Sequence, residues 1–180
     1  MAHVEQKEFC TKVKSLLPIY FDNKSVLDVG SLDINGSNRY LFDNCSYYGI
    51  DVGEGANVDF VSKAHEFWMP DETYDVIIST ECFEHDMFYD LSIKNIVRML
   101  KSDGLFIFTC ATEGRLEHGT NRTSPEDAPL LAGYGEWSDY YKNLTEQDIR
   151  SVIDIEIIFK QFAFEINESS HDLYFWGVKK

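Results

Sequence analysis

Ser25-Val26-Leu27-Asp28-Val29-Gly30-Ser31-Leu32-Asp33-Ile34-Asn35-Gly36-Ser37-Asn38-Arg39 is the stretch whose reading decides the fold. A short apolar run, Val26 to Val29, is interrupted by one acid and breaks at Gly30. The pattern re-forms at Ser37 as a helix start, predicted over 37–43. Strand, glycine turn and helix open the nucleotide-binding half of a doubly wound sheet. Gly30 has no side chain, so a ligand can approach its backbone closely. A helix starting near Ser37 would turn free N–H groups toward the same place. A second apolar run, predicted over 46–50, ends in Asp51, 23 residues beyond Asp28. That is near the roughly 20-residue gap at which an acid reaches ribose hydroxyls. A plain βα turn with a packing glycine accounts for the stretch equally well.

The glycine spacing separates the cofactor classes. A pyrophosphate needs G-x-G-x-x-G, but here Ser31 and Leu32 follow Gly30 and the next glycine is Gly36. An Asp-x-Gly start with an acid closing the next strand suits a nucleoside without a pyrophosphate. The stretch resembles motif I of class I S-adenosylmethionine-dependent methyltransferases. Gly30 to Arg39 is similar to the G-S-x-D-x-N-G-S-x-R form of a bacterial and phage branch, the methyltransferase type 11 group.

The rest of the chain is read against that start. Phe9, Val13, Leu16, Leu17 and Tyr20 give residues 4–17 a helical rhythm that Pro18 ends, so residues 1–20 form an N-terminal helical segment. Strand three is expected at 58–61 and strand four at 74–79. Strand four runs into Thr80-Glu81-Cys82-Phe83-Glu84-His85, which is similar to the family's Y-D-V-I-I-S-T-E-x-x-E-H motif IV. A helix is predicted over 90–101 and an apolar strand over 105–109. Residues 110–143 lose all periodicity and carry four aromatics, Tyr134, Trp137, Tyr140 and Tyr141. A segment of this kind after strand five hangs over the sheet's carboxyl edge, and is read as a substrate-recognition insertion or as a structured surface loop. Glu117-His118-Gly119-Thr120 and the Tyr-Tyr-x-Asn-Leu-Thr run from Tyr140 also resemble the narrower branch. A capped helix at 146–153, a strand at 155–164 and a strand at 172–178 complete the chain. The last two strands, joined by a polar turn, make a hairpin. The expectation is one α/β domain over 1–180. It has a Rossmann-like, doubly wound, seven-stranded sheet of order 3-2-1-4-5-7-6 with strand seven antiparallel.

The resemblance implies S-adenosyl-L-methionine as cofactor and assigns residues to it. Gly30 and Ser31 should meet the methionine part, and Asp28 should stand behind them, bonding loop amides. Asp51 should take the ribose hydroxyls and Val52 should flank adenine. Ala64 and His65 should meet the adenine edge; Lys63 stands where the family often has an Asp. Thr80 and Glu81 should lie beneath the amino-acid end. For the acceptor, His85 and His118 are the candidate general bases, each also readable as an ordinary structural histidine. Tyr134, Trp137, Tyr140 and Tyr141 are the candidate pocket wall.

Composition narrows the acceptor. Lysine and arginine total 16 against 31 acids, a net charge of −15, which repels a phosphate backbone. No Asn/Asp-Pro-Pro-Tyr/Phe follows strand four, which disfavours methylation of DNA base amines. The four cysteines are not at metal or redox spacing, and no metal-ligand spacing points to a cation-dependent enzyme. No 18-residue apolar run exists and the first residues lack a secretion pattern, so a cytoplasmic protein is expected. The reading is transfer of a methyl group to a small molecule, a sugar or a biosynthetic intermediate. The alternative is a non-catalytic cofactor- or partner-binding domain on the same fold. Oligomeric state is not legible.

Overall fold

A computed structural model describes residues 3–180. The strands are β1 (Ser25–Val29), β2 (Ser46–Asp51), β3 (Phe60–Val61), β4 (Tyr74–Thr80), β5 (Leu100–Ala111), β6 (Phe159–Asn167) and β7 (Asp172–Lys179). The helices are α1 (Val4–Leu16), α2 (Tyr89–Met99), α3 (Glu146–Val152) and the single turn α4 (Ile155–Ile158). The strands form one sheet in the order β3-β2-β1-β4-β5-β7-β6. β7 runs antiparallel to both β5 and β6, and the other pairings are parallel. The expected class, order and hairpin are all present.

Period-two alternation sorts the apolar residues onto two faces. Leu27, Val29, Ile77, Phe106, Phe108 and Phe175 point to one, where Ile93, Ile96 and Ile149 of α2 and α3 cover them. Val26, Val76, Ile78, Ile107 and Trp176 point to the other, where Phe9 and Val13 of α1 cover them. Phe9 stacks on Tyr174 of β7 at 4.5 Å between ring centroids, which fixes α1 across the sheet. Among the described residues, no helix is long and apolar enough to cross a membrane.

Four local expectations are corrected. The helix expected at 37–43 is a four-residue 3-10 turn, Asn38–Leu41, so no α-helical N-terminus points at the glycine turn. Strand three shrinks from 58–61 to Phe60–Val61, because Asn57 turns with φ +71° and Asp59 is held by Gly49. The helix over 90–101 stops at Met99, and Leu100 already pairs with Tyr74, making β5 twelve residues long. The first four residues of the strand expected at 155–164 instead form α4. The Asp154 side chain accepts from the Ile157 N–H at 2.9 Å and caps that turn.

Candidate functional site

The carboxyl ends of β1, β2 and β4 open on one cleft with about 930 Å³ of empty space. Such an edge is where open α/β sheets take ligands. Gly30 turns with φ +76°, and the N–H groups of Gly30 and Ser31 both reach the Ile50 carbonyl, at 3.0 and 3.1 Å. A Cβ on Gly30 would stand 2.5 Å from the Cys82 sulfur. The first turn and the turn after β4 are therefore packed backbone to side chain, and only glycine fits between them.

Two acids face this cleft from neighbouring strands. Asp51 Oδ2 accepts from the Leu32 N–H at 2.9 Å and Oδ1 from the Val52 N–H at 2.7 Å. Burial pushes its carboxyl up, and the two backbone donors oppose that. Asp28 is fully buried; burial pushes it up to about 6, against the pull of the Tyr47 hydroxyl on Oδ2. Its Oδ1 has no hydrogen-bond partner among the described residues. Asp28 was expected to bond loop amides; it bonds Tyr47 and, at 3.5 Å, the Asn57 amide instead.

Of the residues expected to meet a cofactor, Asp28, Gly30, Ser31, Asp51, Val52, Ala64, Thr80 and Glu81 line the cleft. His65 does not. Its ring packs 4.5 Å from Phe88 and 6.3 Å from Trp137, while Ser62 lines the cleft from the same loop. Lys63 also turns away, to Glu66 at 3.1 Å. Asn95 of α2 pins this loop by donating to the Ala64 and Phe67 carbonyls at 2.8 and 2.7 Å.

Sequence reasoning missed Asn38, whose amide donates to Thr80 at 3.0 Å and accepts from Gln6 of α1 at 3.3 Å. Through it the N-terminal helix is tied to the cleft. It stands inside the motif read as a helix start, so its side-chain role was hidden. Leu130 and Leu131 of the insertion line the cleft too, and no periodicity marked them.

The turn after β4 divides between two neighbourhoods. Glu81 sits in a left-handed conformation, φ +52°, and its Oε1 accepts from Thr109 at 2.8 Å. Its Oε2 lies 3.4 Å from His3, whose Nε2 is also 3.1 Å from Asp172. Burial works to lower His3, but the Asp172 and Glu81 carboxylates outweigh it and raise the imidazole to about 10. Asp86 caps the chain before α2, accepting from Phe88 N–H at 2.8 Å and from Ser92 at 2.5 Å.

Glu84 points away from the cleft into a second, drier place, and His85 stands between the two. Glu84 is fully buried, and neither of its carboxylate oxygens has a partner among the described residues; burial pushes it up to about 8. Both His85 nitrogens likewise lack hydrogen-bond partners among the described residues, and burial pushes its imidazole down to about 3. His85 lines the cleft; His118 does not, but its ring meets that of His85 edge-on at 5.0 Å. Burial also lowers His118. Both histidines are neutral near pH 7, and His85 is a weak base.

Three short 3-10 turns, Pro125–Asp127, Pro129–Leu131 and Gly135–Asp139, carry the insertion over this edge. Trp137 lines the cleft and its indole N–H donates to the His85 carbonyl. Gly119 lies against the His85 ring, where a Cβ would come within 2.6 Å of it. The other aromatics diverge from the expected wall. Tyr134 packs edge-on to Trp137 and is 38% exposed, Tyr141 leans on the His85 and His118 rings, and Tyr140 does not line the cleft.

A family model described as "Methyltransferase domain" matches residues 1–151. No curated protein matches the chain. Among solved structures, the chain is similar to 1,6-didemethyltoxoflavin-N1-methyltransferase of Burkholderia thailandensis, solved with 1,6-didemethyltoxoflavin and S-adenosylhomocysteine. That likeness has TM-score 0.65 at 15% identity and covers 97% of this chain and 78% of that one. It is also similar to phosphoethanolamine N-methyltransferase 2 of Haemonchus contortus in complex with S-adenosyl-L-methionine, with TM-score 0.65 at 15% identity. There it covers 96% of this chain and 52% of that one. The PH0226 protein of Pyrococcus horikoshii gives TM-score 0.62 at 16% identity, over 99% of this chain and 92% of that one. At these identities the likeness carries the fold.

Proposed function

The chain belongs to the methyltransferase-domain family, and from that premise we propose that it moves a methyl group from S-adenosyl-L-methionine to a small-molecule acceptor. The observation that carries this reading is the pairing of Gly30 with Asp51 and Asp28 at one sheet edge. Gly30 leaves a cradle that any Cβ would fill. Asp51 retains free lone pairs on two oriented oxygens, suited to a ribose diol. The unpartnered Oδ1 of Asp28 is suited to an ammonium. The chemistry of these residues suits the cofactor; for Asp28 the proposed role is direct contact with the ammonium, where the motif resemblance implies bonds to loop amides.

When bound, the cofactor supplies an activated methyl on sulfur, so transfer is an in-line displacement and positioning supplies much of the rate. Gly30, Ser31 and Asp28 would hold the amino-acid part. Asp51 and Val52 would hold the nucleoside, with Ser62 and Ala64 at the base. His65 is not in this set. On the acceptor side we place His85 and Trp137, while Leu130 of the insertion lies against Gly53, beside the nucleoside residues. Neutral His85 can orient an acceptor N–H or O–H but is too weak a base to strip a proton from an alcohol. We therefore favour an acceptor that presents its lone pair without prior deprotonation, with an apolar portion against Trp137. The solved relatives bound to 1,6-didemethyltoxoflavin and named for phosphoethanolamine N-methylation support a small acceptor. The likeness to the bacterial and phage type 11 branch rests on Gly30 to Arg39, on Glu117 to Thr120 and on the run from Tyr140 to Thr145.

The test is calorimetric titration of S-adenosylhomocysteine with NADH in parallel, followed by methyl turnover on panels of small amines and sugars. Micromolar binding of the first ligand and none of the second is the expected result. Binding of neither overturns the cofactor reading.

A further inference from the structure

We infer that Glu84, His85 and His118 form a binding site for one divalent transition-metal ion of the zinc or iron(II) type. Each residue offers a ligand atom, and the three atoms lie within 4.8 Å of one another. Bonds of about 2.1 Å at tetrahedral angles set ligand atoms about 3.4 Å apart. Side-chain rotations on the order of 1 Å would close the set. One carboxylate and two imidazoles suit zinc, iron and nickel better than magnesium or calcium, which want oxygen alone. Three protein ligands leave a position open, as in catalytic rather than structural metal sites.

Three further observations point the same way. The Glu84 carboxylate is wholly buried with both oxygens unpartnered among the described residues. Buried carboxylates are paired or bind a cation, and this one has no hydrogen-bond partner among the described residues. The two His85 nitrogens beside it are buried and have no hydrogen-bond partner among the described residues. His118 Nδ1 stands 3.0 Å from the Leu116 carbonyl. That contact holds a proton on Nδ1 and leaves the Nε2 lone pair free, as second partners do for metal-binding histidines. The insertion is fixed for the purpose. Gly119, φ +65°, lets residue 118 approach because any side chain there would strike the His85 ring.

His85 lines the cleft, so an ion on it would stand at the acceptor side. There it would take an acceptor oxygen or nitrogen next to the reacting atom and orient the acceptor for transfer. That role rests on the methyl-transfer reading; the metal site itself does not.

The experiment uses the tag-free full chain, stripped with chelator. Zinc chloride is titrated by calorimetry, cobalt(II) loading is followed by visible absorption, and S-adenosylhomocysteine is titrated separately. One equivalent of zinc with submicromolar affinity is expected, together with an intense cobalt spectrum of four- or five-coordinate nitrogen–oxygen ligation. Glu84→Gln and His118→Asn should each weaken zinc by roughly tenfold or more. His3→Ala, which disrupts the separate His3–Glu81–Asp172 cluster, should not change zinc affinity. Zinc weaker than 100 µM, a pale six-coordinate cobalt spectrum, or loss of zinc in His3→Ala but not in His118→Asn would overturn the site (the first limit set at about 5.5 kcal/mol of binding). The wild-type cobalt spectrum decides the matter should Glu84→Gln fail to fold. The S-adenosylhomocysteine titration reports on the cofactor reading alone.

Discussion

Replacing Gly30 by alanine tests the contact on which the cofactor cradle is built. The backbone there sits at φ +76°, where an L-residue costs about 1 kcal/mol or somewhat more. The new Cβ would also meet Cys82 at 2.5 Å from sulfur and 2.7 Å from its Cβ. The Sγ could swing away about χ1, but the Cβ is fixed to the backbone, so the turn after β4 or the Gly30 turn must move. Overpacking of this kind costs about 1–3 kcal/mol. A total of about 2–4 kcal/mol lowers the melting temperature of a chain this size by roughly 5–15 °C. Urea unfolding measured in a double-mutant cycle with Cys82→Gly separates the two contributions. In the Cys82→Gly background, Gly30→Ala should cost only the backbone part, giving a coupling of about 1–3 kcal/mol. Affinity for S-adenosylhomocysteine should recover in step with that coupling. A wild-type melting temperature for Gly30→Ala, or an equal loss in both backgrounds, would refute the reasoning.

Asp51→Asn should weaken S-adenosylhomocysteine by at least about tenfold while keeping the fold, since one side-chain oxygen still accepts a backbone N–H. Asp51→Ala strands both the Leu32 and Val52 donors and should cost a further ~2 kcal/mol of stability by urea titration; equal stability of the two variants would contradict this. His3 is held protonated, its pKa raised from 6.5 to about 10. Its contribution is complete below pH 6.5 and fades as pH rises toward 10. The stability gap between wild type and His3→Ala should shrink across that window, and a gap independent of pH would exclude the ion cluster as its source. Trp137→Phe removes the indole donor to His85, so it should leave S-adenosylhomocysteine binding unchanged and raise the acceptor KM. Weakened cofactor binding with an unaltered KM would move Trp137 to the other side of the cleft.

The fold was legible because its signals are local and redundant. Ile77, Ile78, Phe106 and Phe108 read as buried strands whichever neighbour they pair with, and turn residues punctuate them. The failures were places where a single side chain overrode the pattern. Asp154 capped into α4 the first four residues of the run expected as a strand at 155–164. Between β1 and β2, Gly36 at φ +120° and the short run behind it left room for one 3-10 turn where a helix was expected. His65 was placed in the cleft by position in a loop. The Asn95 amide fixes that loop from α2, a contact no local pattern carries, and the imidazole is free to pack on Phe88.

The candidate site shows the same division more sharply. Gly30, Asp51 and the turn after β4 were legible because strand ends announce them, one per strand, at a sheet edge whose chemistry the topology dictates. Glu84, His85 and His118 were not read as one group. A metal-ligand reading of sequence looks for close spacing, and His118 stands 33 residues beyond His85, across all of α2 and β5. What joins them is tertiary: the insertion returns over the sheet edge, and the missing side chain of Gly119 admits it against His85. The same turn, from Thr80 to Asp86, sends Thr80 and Glu81 toward the cofactor residues and Glu84 toward the insertion. The left-handed backbone at Glu81 lies within that segment. A change at Glu81 that forced an ordinary backbone would therefore disturb the cofactor cleft and the Glu84 cluster together, although the two share no ligand residue. Substitutions at Glu84 or His118 should disturb only one of them.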